Sequence, residues 1–175
     1  MRSTAAAFSI VRGIRGSAHL FQVYVESQRL GFVRVGAGPG AEYAVAAHGG
    51  LIGALLAWWI GSARKKSEQR RIEQNQSKTL DQMLREHKAS HVILLSDISE
   101  VSLEPGGWAM KKGTVIWRFR VRGEKKQTLC AFPKIDDIAA ALDVLPKLFP
   151  SMRIDVQLDQ RSGKYLKKTP HPTVR

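Results

Sequence analysis

The sequence predicts an α+β fold: a small antiparallel sheet or barrel with an amphipathic helix late in the chain, interrupted by a helical apolar insert. Three observations carry that reading. Val115, Trp117, Phe119 and Val121 alternate with Arg118, Arg120 and Arg122, the two-residue period of a half-buried strand. Ile138, Leu142, Leu145 and Phe149 recur at helical spacing, with Ala139 beside them. The block from Ala44 to Ala63, AVAAHGGLIGALLAWWIGSA, is uncharged and ends at Arg64, Lys65 and Lys66.

In chain order, residues 1–20 carry Arg2, Arg12 and Arg15 and no acid, the composition of a targeting or disordered segment. Residues 21–36, FQVYVESQRLGFVRVG, read as a hairpin that turns at Ser27-Gln28. Residues 37–90 form the insert, with the apolar block at 44–63 and a charged helix or helix pair at 64–89. Ser77 or Thr79 is placed to cap its second half. Strands resume near His91 in VILLSDISEVSLEP, and KKQTLCAF is the expected hairpin partner of the arginine-bearing strand. Asp136 and Asp137 then complement the positive end of a helix dipole. Ile154, Val156 and Leu158 suggest a last strand. Residues 160–175 form a basic tail that reads as disordered.

The hairpin QVYVESQRLGFVRVG, the insert GGLIGALLAWWIG, the strand in ILLSDISEVSLEP and the helix IDDIAAALDVLPKLFP together resemble bacterial pleckstrin-homology-like domain proteins with a glycine-rich hydrophobic insert. The resemblance covers roughly residues 21–158. It implies one β domain split between 21–36 and 91–159, and a binding or scaffolding role on lipid head groups, peptides or partner proteins.

Partners and compartment follow from charge and cysteine usage. A formal charge of +13, with 28 basic against 15 acidic residues, favours polyanionic partners. Cys130 stands alone, so no intramolecular disulfide forms. This points to a reducing, cytoplasmic compartment, with a mitochondrial location the alternative that the N-terminus raises.

The insert has three readings. It lies in the membrane interface, with Leu51, Ile52, Leu55, Leu56, Trp58, Trp59 and Ile60 in lipid; it crosses; or it packs on the protein or a second copy through Gly49 and Gly53. Arg64, Lys65 and Lys66 are placed for phosphate head groups, and Arg118, Arg120 and Arg122 form a second candidate anion face.

No catalytic set competes with these features. Gly36, Gly38, Gly40 and Ala41 match a dinucleotide-binding loop, but no second parallel strand and no ribose-holding acid near position 60 follow. His87 and His91 are four apart, with no third metal ligand placed by spacing. Asp97 with Glu100, and Asp136 with Asp137, fit turns and helix starts better than acid–base pairs. The expectation is a non-enzymatic protein without cofactor, tethered to an anionic membrane by 44–63 and the basic residues 64–71. The alternative is a basic organellar or ribonucleoprotein assembly subunit that binds RNA or a large complex through its termini.

Overall fold

The computed structural model describes residues 6–13, 18–37, 66–107, 110 and 113–168. The chain divides into two compact units, Met1–Leu95 and Ser96–Arg175.

The first unit carries strands β1 (Phe8–Arg12), β2 (His19–Val25), β3 (Arg29–Ala37) and β4 (His91–Leu94), all antiparallel, in the order β4-β3-β2-β1. Between β3 and β4 lie helix α1, described over residues 66–75, and helix α2 (Leu80–Glu86). β2 and β3 form the hairpin read from residues 21–36; Val25 pairs with Leu30, and the Glu26 N–H donates to the Arg29 carbonyl across the turn. β1 is a strand that the composition of residues 1–20 concealed, and its Phe8 and Ile10 are buried.

Gln22 and Tyr24 alternate with Val23 and Val25, the two-residue period of a strand. In the structure both faces of β2 and β3 are buried. Tyr24, Val33 and Val35 meet Leu80 and Met83 from α2, with Ile72 of α1 and Leu84 packed alongside. Burying Gln22 and Tyr24 demands partners for their polar atoms. The Tyr24 hydroxyl donates to Gln22 Oε1 at 2.9 Å, and Asn75 Nδ2 from α1 donates to the same oxygen at 3.5 Å. That leaves Asn75 Oδ1 to accept from His87 Nε2 at 3.1 Å. Burial pushes the Tyr24 phenol above its ordinary range. Thr79 starts α2 with a capping box: its hydroxyl accepts the Gln82 N–H while Gln82 Oε1 accepts the Thr79 N–H.

The second unit orders its sheet β7-β6-β5-β8, from β5 (Ile98–Pro105), β6 (Val115–Val121), β7 (Thr128–Ala131) and β8 (Arg153–Ile154). β5, β6 and β7 are antiparallel, whereas β8 runs parallel to β5 through Ser102 and Leu103. Helix α3 (Ile135–Leu148) follows β7 and buries Ile138, Ala141 and Leu145, a stripe rotated slightly from the one the sequence suggests. β9 (Val156–Asp159) and β10 (Lys164–Lys167) then form a separate two-stranded ribbon. β10 lies within the tail that its basic composition marks as disordered, and it buries Tyr165.

These observations correct the expected fold class. The described residues hold ten strands against three helices, and the sheet is mixed rather than a small antiparallel pleckstrin-homology-like barrel. Three strands follow the amphipathic helix, where the sequence suggests one.

Candidate anion-binding site

Two groups of cations compete for the role of an anion site, and their surroundings differ. Arg118 and Arg120 project from the outer face of β6, opposite the buried Trp117 and Phe119, and Arg122 follows at its end. Each faces an acid. Arg118 Nη2 pairs with Glu104 at 3.2 Å, Arg120 Nε with Glu100 at 2.9 Å, and Arg122 Nη1 with Asp97 at 3.6 Å.

A bulge in β5 brings two of these acids into line. From Ser99 to Ser102 the strand advances three residues while β6 advances two, from Arg120 to Arg118. Glu100 absorbs the surplus in the left-handed region, at φ 52°.

Glu104 is the hub of the array. Its Oε1 accepts from the Ser102 hydroxyl at 2.8 Å and from Arg153 Nη2 at 2.6 Å, and Arg153 Nε also meets Asp155 at 2.8 Å. Gln127 bridges the ladder, accepting from Arg118 Nη1 at 3.2 Å and donating to Glu100 at 2.8 Å. Burial pushes the Glu104 carboxyl up, but the Ser102 hydroxyl and the charges of Arg118 and Arg153 outweigh it and hold it below the usual range. Hydrogen bonds from Gln127 and then Arg120 hold Glu100 low as well. The hollow of about 470 Å³ over this face is therefore lined by matched charge: Glu100, Glu104, Arg118 and Arg153, with Ser102 and Gln127.

Helix α1 presents the other group. Ile72 and the buried Asn75 lie on its inner side, and Glu68 lies close enough to Gly36 of β3 that a Cβ there would collide with it. The outer side is set by the same 3.6-residue period: Lys66, Ser67, Arg70, Arg71 and Gln74 line a groove of about 420 Å³. Arg71 Nη1 donates to the Val35 carbonyl at 3.4 Å, which ties one edge of its guanidinium to β3. Glu73 accepts from Gln69 at 3.1 Å, and Glu86 pairs with Lys78. Among the described residues, no carboxylate forms an ion pair with Lys66, Arg70 or Arg71. The nearby His87 is held below its ordinary range, first by burial and then by the charge of Arg71.

No protein-family model matches the chain, and no curated protein or solved structure matches it.

The remaining candidates fall as follows. Leu51, Ile52, Leu55, Leu56, Trp58, Trp59, Ile60, Arg64 and Lys65 lie outside the described residues, as do Gly49 and Gly53. No helix among the described residues is long and apolar enough to cross a membrane. Gly38, Gly40 and Ala41 of the glycine loop also lie outside them, while Gly36 is the penultimate residue of β3 and lies against Glu68. His87 and His91 do not converge: His87 bonds Asn75, whereas His91 stacks on Phe32 at 5.0 Å and meets Arg12 Nη1 at 3.1 Å. No cluster able to hold a metal ion occurs among the described residues.

Proposed function

We propose that this chain is a non-enzymatic, membrane-associated binding protein, attached to an anionic surface by the apolar block at 44–63 and the basic outer face of α1. One contrast supports the reading. The β6 arginines are matched by Asp97, Glu100 and Glu104, while Lys66, Arg70 and Arg71 face a groove without an acid. Cations without an internal carboxylate keep their charge available for an external anion, whereas ion-paired ones first have to break that contact. The α1 cations also follow directly in sequence on the apolar block and on Arg64 and Lys65. Apolar insertion combined with cationic attraction is the two-part anchoring that stable surface attachment needs.

At about 1 kcal/mol for each cation near an anionic leaflet, three contribute about 3 kcal/mol, roughly a hundredfold in partitioning. The test is sedimentation of the full chain with neutral and with phosphatidylglycerol-containing vesicles at rising salt. The account expects binding to the anionic vesicles that weakens steadily with salt. Equal binding to neutral vesicles would remove the electrostatic half of the anchor, and no binding to either would remove the function.

A further inference from the structure

We infer that the α1 groove is a site for a phosphate monoester, a head group or small molecule ending in a dianionic phosphate, and not a patch of diffuse positive charge. The inference rests on the membrane reading above and names the ligand of that surface. Every side chain lining the groove can donate a hydrogen bond, and none is a carboxylate: an ammonium at Lys66, guanidinium groups at Arg70 and Arg71, a hydroxyl at Ser67 and an amide at Gln74.

Lys66, Arg70 and Gln74 follow one another at four-residue spacing, so they stack along one stripe with about 6 Å of rise between successive members. Ser67 and Arg71 form the adjoining stripe at the same spacing. Arg71 is partly preorganised, because its bond to the Val35 carbonyl fixes one edge of the fork and leaves other N–H groups for the groove.

A phosphate monoester carries between one and a half and two charges near neutrality, with three terminal oxygens; a diester carries one charge and two free oxygens. Two guanidinium forks and an ammonium use that extra charge and extra acceptor, which a surface of diester lipids does not supply. No aromatic residue lines the groove, so it lacks the stacking platform on which single-stranded nucleic acid binding relies.

The test compares full-length protein on phosphatidylcholine vesicles carrying phosphatidic acid with others carrying phosphatidylglycerol, matched for measured surface charge. The expected result is binding about fivefold to tenfold tighter to the phosphatidic acid vesicles. In R70K/R71K, which keeps the charge and loses both forks, that preference collapses while salt-sensitive binding to both vesicles persists. Glycerol 3-phosphate in solution separates the two sources of such a group: displacement at millimolar concentration assigns a free phosphate ester as well, and no displacement assigns the lipid head group alone.

Equal binding at matched charge, unaffected by R70K/R71K, overturns the site and leaves the membrane attachment standing. Absence of binding to both anionic vesicles overturns the attachment too. Tighter binding to a single-stranded oligonucleotide than to phosphatidic acid vesicles likewise overturns the phosphomonoester assignment.

Discussion

Replacing Gly31 by alanine should destabilise the first unit, and removing Leu80 should abolish that effect. A Cβ on Gly31 would lie 2.5 Å from Leu80 Cδ1, 2.7 Å from Cδ2 and 3.1 Å from Cγ. Leu80 has no room to swing aside: it is 1% exposed and sits in a cluster with Tyr24, Val33, Val35 and Met83. Overpacking of this kind costs about 1–3 kcal/mol, partly offset by the ~0.5–1 kcal/mol that alanine gains over glycine within a strand. The expected net loss for G31A is therefore about 1–2 kcal/mol. L80A alone should cost about 3 kcal/mol, from lost transfer free energy and the cavity left behind. In the L80A background the new methyl group enters that cavity, and G31A becomes neutral or stabilising by about 0.5 kcal/mol. The coupling is then about 2 kcal/mol, well outside the ~0.5 kcal/mol scatter of independent sites. Urea unfolding of the four proteins, followed by circular dichroism, measures it. An equal cost for G31A in both backgrounds would refute the packing of α2 on β3.

Glu104→Gln should lower stability by about 1–2 kcal/mol, because the side chain has three partners but Arg118 and Arg153 are themselves 38% and 66% exposed; vesicle binding should not change. Glu104 titrates below its ordinary value of 4.5, so the ladder's stabilisation is present above that pH and lost as pH falls through the lower, folded-state value. Urea midpoints measured from pH 6 to pH 3 should drop less steeply in E104Q than in the wild type. His87 behaves differently: its folded-state value lies below 6.5, so the unfolded chain takes up the proton first. Its contribution is complete above pH 6.5 and declines as pH falls below it. An NMR titration should place His87 below an ordinary exposed histidine and move it upward in R71A; no movement would deny the influence of the Arg71 charge. Thr79→Ala removes half of the capping box and should cost about 1 kcal/mol in the same urea assay.

Local periodicity was readable where one face of an element is buried and the other is wet. The alternation of Val115, Trp117 and Phe119 with Arg118 and Arg120 identified β6 and its inward side, and of the two cap candidates Ser77 and Thr79 it is Thr79 that starts α2. Strands hidden in basic surroundings were not readable. Phe8 and Ile10 alternate in β1 and Tyr165 anchors β10, yet composition dominated both segments. Nothing local to Gln22 and Tyr24 reveals that two helices from residues 66–86 cover their face of the hairpin.

The arginine face shows the limit most clearly. Asp97, Glu100 and Glu104 follow no two-residue period, so the sequence gives no warning that they meet Arg122, Arg120 and Arg118. The β5 bulge at Glu100 and the strand register create those pairs, and both depend on tertiary pairing. Lys66 was expected at the anion surface from its place after the apolar block. Arg70 and Arg71 lay within the same basic run, and helical spacing adds Ser67 and Gln74.

The most direct test of which cations are available is vesicle flotation of two triple variants of equal charge change, K66Q/R70Q/R71Q and R118Q/R120Q/R122Q. The account predicts that the α1 variant loses most of its binding to anionic vesicles at physiological salt, roughly a hundredfold in partitioning. The β6 variant should float like the wild type while unfolding at lower urea. Equal loss in both would show that total charge, and not the groove on α1, draws the protein to the surface; loss in the β6 variant alone would contradict the account.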